Sequence, residues 1–277
     1  MHKVLFSTLG MTDPIKNDFD GPFLHILRHY KPCKAYLFMT RRVCELADQD
    51  DRYRKSIQQL CELEGFHCEI IELRYEEIDN PQEFDIFYPI FEKTLIAIHQ
   101  ENPDCQILVN LSSGTPQMKS SSNLVALTLP FPVLPIQVTT PNERENYGSP
   151  DYDIQKSWES NIDNHPDMEP KNRSREIVSD NLRYLFFREA AISHIRSYDY
   201  NAALNILQMV KEFVPADIMY LVEAARHRKN MALDEAKQKS DWAGYKLFPI
   251  ASRDARDIFE YLLLLGIQKE TGNLMDF

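Results

Sequence analysis

Asn110-Leu-Ser-Ser-Gly-Thr-Pro-Gln-Met-Lys119 gathers two amides, three hydroxyls, a glycine and a lysine into ten residues. The apolar run Gln106-Ile107-Leu108-Val109 precedes it, and the apolar-periodic run Met118 to Leu129 follows. The stretch is therefore expected to turn a buried strand into a helix. Pro116 falls in the first helical turn, where a proline is tolerated, with Ser113 or Thr115 available as the cap. First-turn N–H groups lack intrahelical partners, so such a turn is an anion site. Lys119 adds a positive charge close by. Asn110, Ser112, Ser113, Gly114, Thr115, Gln117, Met118 and Lys119 are the candidate ligand residues, Gly114 to Met118 through main-chain N–H groups. Phosphate or a nucleotide is the ligand class. An ordinary capping role for the hydroxyls competes with this reading.

A second loop has similar chemistry. Lys3-Val4-Leu5-Phe6-Ser7-Thr8 reads as a buried strand and breaks at Leu9-Gly10-Met11-Thr12-Asp13-Pro14. The chain has only eight glycines. One follows this strand (Gly10) and another follows the Ile107 strand (Gly114), so their placement carries weight. Thr8, Gly10 and Thr12 join the candidate set.

The elements that must position these loops alternate. Strands are expected at 3–8, 35–40, 66–73, 106–109 and 133–139. Helices fall between them at 23–31, at 41–64 with a break around Asp48–Asp51, at 84–99 and at 118–129. Pro135 suggests an edge or a bulge in the last strand. Short apolar strands alternating with helices argue an α/β fold, a Rossmann-like, doubly wound, mainly parallel sheet. With strand order 3-2-1-4-5, both glycine loops open into the crevice where the order reverses. Residues 1–140 form this domain. Residues 141–172, rich in Pro, Asn, Asp and Glu, read as a connector with a hairpin around Tyr147-Gly148. Residues 173–277 read as all-helical, with helices ending near Tyr198, from Tyr200 to Phe213, from Ile218 to Lys239 and from Ala251 to Gln268.

Composition narrows the function. A net charge of -11 argues against a broadly basic nucleic-acid surface. Five cysteines without a CxxC pair fit reduced packing residues in a cytoplasmic protein, not a disulfide or zinc scaffold. No signal peptide and no apolar run of membrane length is found. The acidic run Glu76-Glu77-Ile78-Asp79 has no histidine to complete a metal site, and no cofactor is expected. The absence of Gly-x-Gly-x-x-Gly after the first strand disfavours a dinucleotide oxidoreductase.

Leu111-Ser-Ser-Gly-Thr-Pro-Gln-Met118 after a fourth strand resembles the signature of CRISPR-associated Rossmann-fold (CARF) sensor domains, and Ser7-Thr8-Leu9-Gly10 looks like their other ligand loop. The acidic connector and helical follow-on are similar to the accessory ribonucleases of type III-A CRISPR systems. The resemblance implies a homodimer that binds a cyclic oligoadenylate, hexa-adenylate before tetra-adenylate. It also implies a C-terminal HEPN domain that cuts RNA substrate in the full-length protein. An alternative is a sensor-regulator whose helical module binds DNA or a partner. Ala224 to Lys229 (Ala-Ala-Arg-His-Arg-Lys) is then the candidate recognition stretch.

The HEPN pair is an Arg and a His four to six residues apart. Arg188 and His194 are the best match. Six residues on one helix place side chains about 120° apart, so this pair is not expected to converge. The chain ends at Phe277 after a helix, and the ribonuclease site is expected to be missing. The resemblance further implies slow cleavage of the ring. A ribose 2′-OH supplies the nucleophile, so Thr115 would orient it and Ser113 with the loop N–H groups would stabilise the phosphate, without metal. A site of mostly neutral donors is expected to bind with weak salt dependence.

Overall fold

Alternate residues of the central strands are apolar toward both sides. Strand β1 (Lys3–Thr8) turns Val4 and Phe6 to one face and Leu5 to the other. Each face of the sheet therefore needs a cover. The computed structural model describes residues 2–140, 152–165, 170–177, 180–250 and 252–271. The chain divides into two units, 1–178 and 179–277.

After β1 comes a small hairpin, β2 (Ile15–Lys16) and β3 (Phe19–Asp20), then helix α1 (Pro22–Tyr30) and strand β4 (Lys34–Thr40). Helices α2 (Arg41–Asp50) and α3 (Arg52–Glu64) follow, broken at left-handed Asp51 as the charged stretch 48–51 suggested. Strand β5 (Glu69–Tyr75), helix α4 (Phe84–Glu101), strand β6 (Gln106–Asn110), helix α5 (Pro116–Thr128) and strand β7 (Leu134–Val138) complete the alternation. Helix α6 (Ile154–Glu159) and strand β8 (Ser174–Glu176) close the first unit. The sheet order is β5-β4-β1-β6-β7-β8, parallel except for antiparallel β8. Five of these strands stand in the order expected.

Helices α1, α2, α3 and α6 contribute to the core on the Leu5 side, and α4 and α5 to the core on the Phe6 side. The α4 spacing works as read: Phe87, Phe91, Leu95 and Ile98 are its buried face. Phe91 packs edge-on to Phe6, with centroids 5.4 Å apart, and to Phe38 at 4.9 Å.

Three expectations change where the chain completes the first unit. Residues from 173 are not all helical, because Ser174–Glu176 pairs with β7. Pro135 is consequently not at the edge; its carbonyl accepts from the Ile177 N–H at 2.9 Å. The described part of the 141–172 stretch folds onto the sheet, with Ile154 in its core and the Ile162 N–H bonded to the Asp18 carbonyl at 2.8 Å. The hairpin expected around Tyr147-Gly148 lies outside the described residues.

The second unit contains α7 (Asp180–Arg196), α8 (Tyr200–Gln208), α9 (Ala216–Lys229), α10 (Leu233–Trp242) and α11 (Arg253–Thr271). The single helix expected over 218–239 is two, because Met231 takes a left-handed conformation. Ala191, Ala203, Leu207, Val210 and Val222 form its core.

Replacing Phe91 by alanine removes the ring on which Phe6, Phe38 and Phe87 pack. Urea unfolding should show a loss of about 3–5 kcal/mol. A loss under about 1 kcal/mol would mean that this core is not close-packed.

Candidate functional site

Strands β1 and β6 are neighbours, and the chain leaves both at the same edge. Their ends are tied by buried polar groups. The Asn110 amide donates to Ser7 Oγ at 2.9 Å and to Ser113 Oγ at 2.8 Å, and its Oδ1 accepts the Ser112 N–H at 2.8 Å. Thr8 Oγ1 donates to the Ser113 carbonyl at 2.7 Å. Thr8, Asn110 and Ser113 are fully buried. Their side chains shape the loop from inside rather than facing a ligand.

Thr115, not Ser113, is the α5 cap. Its Oγ1 accepts the Met118 N–H at 3.3 Å and donates to the Pro81 carbonyl at 2.7 Å. The Met118 side chain is buried in the core. The N–H groups of Gly114, Thr115 and Gln117 have no protein partner among the described residues, and neither does half-buried Gln117 Oε1. The loop keeps unpaired donors as expected, while Met118 does not contribute one.

The two glycine loops touch. A Cβ on Gly10 would lie 2.8 Å from the Gly114 nitrogen. Gly114 itself has φ +84°, and a Cβ there would meet Thr8 Oγ1 at 2.9 Å. Only glycine fits this approach at both positions. Beneath them lies Asp13, which sequence reasoning passed over although it stands in the first loop. Its carboxylate accepts the N–H of Gly10 at 3.0 Å and of Phe23 at 3.2 Å. Burial pushes its pKa up to about 6, against hydrogen bonds from Ser113, Gly10 and Phe23 and the charge of Lys119.

A cavity of about 260 Å³ opens at this end of the sheet. Of the candidate residues, Thr12, Ser112 and Lys119 line it, together with Lys16, Thr139 and Arg173, which the sequence did not single out. Ser112 Oγ also accepts the Val138 N–H at 2.7 Å, fixing the cavity wall to β7. Gly10, Gln117 and Thr115 stand outside this lining. Lys16 and Arg173 add cationic side chains beside Lys119, although Arg173 is paired with Asp163 and Asp20 also lines the cavity.

Arg173 belongs to a buried clasp. It donates to Asp163 Oδ2 and Thr139 O, both at 3.1 Å, and to the Asp20 carbonyl at 3.0 Å. Arg28 holds the Asp20 carboxylate at 2.6 Å. His25 Nε2 accepts the Arg173 N–H at 2.9 Å, and burial with the nearby arginine charges drives its pKa down to about 2. Asp20, His25 and Asp163 lie close enough to hold a metal ion. Guanidinium groups already neutralise both carboxylates, so the donor set suits an internal ion-pair network.

The other candidates are committed elsewhere. Arg41 pairs with Asp79 at 2.6 Å and Arg42 with Glu45 at 2.9 Å. On α7, Arg188 pairs with Glu189, His194 lies 3.8 Å from Asp199, and the two do not converge. In the Ala224 to Lys229 stretch, Arg228 grips Glu260 and Lys229 donates to the Tyr198 carbonyl at 2.8 Å. This is not a free recognition face.

A parallel sheet with glycine loops meeting at its switch point defines a Rossmann-like ligand-binding domain. Residues 67–174 match the Cas_Csm6 CARF domain, and residues 177–229 match the CRISPR-associated protein Csm6 6H domain. The chain belongs to the Csm6 family. The endoribonuclease Csm6 of Mycobacterium tuberculosis is 35% identical over 82% of this chain and 54% of its own length. The Enterococcus italicus endoribonuclease Csm6 is 32% identical over 76% and 49%. The chain thus spans about half the length of these curated relatives. The structure of Enterococcus italicus Csm6 bound to cyclic hexa-2′-fluoro-hexa-dAMP superposes with a TM-score of 0.73. It is 25% identical and covers 99% of this chain and 63% of that one.

Asp13 gives a pH test. Its folded pKa stands above the ordinary value of 3.8, so the folded state holds its proton more tightly than the unfolded state. Its contribution to stability is full below pH 3.8 and falls as pH rises to about 6. The loss is on the order of 3 kcal/mol. His25 acts in the opposite sense, losing stability as pH falls below its unfolded value. The Asp13 part is therefore read as a difference: urea unfolding of Asp13→Asn should lack this decline between pH 4 and pH 6. Parallel curves for variant and parent would show an ordinary carboxyl.

Proposed function

We propose that this chain is the cyclic oligoadenylate sensor of a type III CRISPR ribonuclease and that it acts as a homodimer. The observation that carries this is the cavity at the β1/β6 switch point, walled by Ser112 and Lys119, in a chain of the Csm6 family. A relative of the same fold binds a cyclic hexanucleotide analogue. Free N–H groups at Gly114, Thr115 and Gln117 suit phosphate oxygens. Thr12 and Ser112 offer hydroxyls for ribose or base edges.

Size argues for two copies. A pocket for one drug-sized ligand measures roughly 300–1,000 Å³. The 260 Å³ here suits part of a nucleotide ring, not the whole. A ring with rotational symmetry can meet the same loops twice across a two-fold axis. Ligand binding would then activate a ribonuclease domain of the complete protein, which cuts RNA. No described residue pair is assigned that cutting step, since Arg188 and His194 do not converge.

Slow ring cleavage is the finer part of the proposal. It requires the Thr115 hydroxyl to exchange the Pro81 carbonyl for a ribose 2′-OH. Ser113, being buried, would act only through its place in the loop.

Calorimetry against cyclic hexa- and tetra-adenylate tests the receptor, with the hexamer expected to bind more tightly. Sedimentation at micromolar concentration should show a dimer in the presence of the ring. Absence of heat with both rings would sink the reading. For cleavage, the chain is incubated with cyclic hexa-adenylate in EDTA and products are separated by chromatography. Linear fragments ending in 2′,3′-cyclic phosphate are expected, and Thr115→Ala should lose cleavage by more than it loses binding. An intact ring after hours would leave a receptor without ring nuclease activity.

A further inference from the structure

Four charges of the clasp cancel. Arg28 neutralises Asp20, and Arg173 neutralises Asp163. Asp20 is further satisfied by the Asn161 amide at 2.7 Å. Lys16 and Lys119 line the same cavity, and neither makes an ion pair among the described residues. Two lysines without a direct ion pair at one cavity stand out in a chain of net charge -11, with the buried Asp13 carboxyl close enough to feel the Lys119 charge. Charges left unpaired beside low-dielectric walls attract an anion strongly.

Local structure fixes where Lys16 points its charge. The β2–β3 hairpin turns through Asn17 (φ 51°) and Asp18 (φ 62°), the left-handed pair that a two-residue hairpin needs. The turn is pinned by the Ile162 N–H to the Asp18 carbonyl and by Ser160 Oγ to Asp18 Oδ1 at 2.7 Å. Lys16 is half-buried, and burial lowers its pKa, as an ammonium short of hydration would show. Arg173 has a donor to spare: its Nε has no hydrogen-bond partner among the described residues. Arg173 also lines an adjoining cavity of about 410 Å³ that includes Lys171 and Arg175. Basic side chains therefore continue beyond the first turn of α5, which carries Lys119, with Asp163 among them.

We propose that Lys16 and Arg173, with Lys119, form a phosphodiester-binding subsite in the cavity at the ends of β1, β6 and β7. It rests on the receptor reading above and deepens it, adding to the glycine loop one residue from the hairpin and one directly before β8. Lys16 acts as a point charge on one phosphate. Arg173 presents the remaining edge of its fork while Asp163 and Thr139 hold the rest in place.

Calorimetry with cyclic hexa-adenylate is run on the parent chain, Lys16→Gln and Arg173→Lys, between about 50 and 300 mM salt. Lys16→Gln should bind about tenfold more weakly at low salt. It should also lose about 0.7 from the slope of log K against log salt, the share of one phosphate contact. A merely structural role would not move that slope. Arg173→Lys keeps the charge and should weaken binding with the slope unchanged. Melting temperature confirms that Lys16→Gln is folded. If the parent binds no ring, the receptor reading fails and the subsite with it. If the parent binds but Lys16→Gln keeps the parent slope, the subsite alone is overturned. Parent-like binding by Arg173→Lys removes Arg173 from it.

Discussion

Asn110 has no exposure to solvent, yet its amide carries donors and an acceptor that must be satisfied. The chain meets this by wrapping its own next three residues around the side chain and by bringing Ser7 from β1. An unmet buried amide costs about 1–3 kcal/mol for each group left open. The turn after β6 is therefore held by its own strand end. Everything else at the switch point follows from that. Ser113 is drawn inward, its carbonyl receives Thr8, and Gly114 is left to turn with positive φ. The two loops then approach so closely that Gly10 and Gly114 must both be glycine. Thr115 is set at the head of α5 with unpaired N–H groups around it.

This division of labour explains how far the sequence was legible. Strand positions and helix faces could be read because the signals are local, whereas the strand order was assumed from the fold class and stands as assumed. Val4 and Phe6 against Leu5, and Phe87, Phe91, Leu95 and Ile98, repeat with the periods of strand and helix. Pro116 behind Thr115 marked the helix start. Residue type, however, does not distinguish a hydroxyl that meets a ligand from one that meets the backbone. Thr8, Ser113 and Asn110 look like ligand residues and act as internal fasteners, since only tertiary structure decides which way they face. Lys16 and Arg173 were missed for the converse reason. They are ordinary surface-type residues until partners far along the chain gather them. The break at Met231 carries no glycine or proline to announce it.

Strand β8 shows the same limit more strongly. Ser174-Arg175-Glu176 has no apolar alternation, so nothing local marks it as a strand. Its place depends on Arg173 reaching Asp20, His25 and Asp163 from three other segments. Its pairing with Ile136–Val138 also covers the edge that Pro135 would otherwise occupy. An antiparallel edge strand on a parallel sheet is a common way to end one.

The clasp raises a question of why two arginines and two aspartates are buried where apolar residues would serve stability as well or better. Such a pair is costly to desolvate, and removing one partner leaves a buried charge. Its benefit is specificity of arrangement. Arg173 can sit in one place only, between the Thr139 carbonyl and Asp163, and this fixes the register of β8 against β7. The same guanidinium lines the cavity. One residue thus lines the candidate ligand site and also anchors the chain directly before β8. The ionic network therefore makes the geometry of the cavity wall and the register of β8 a single constraint, which an apolar core at the same position would leave separate.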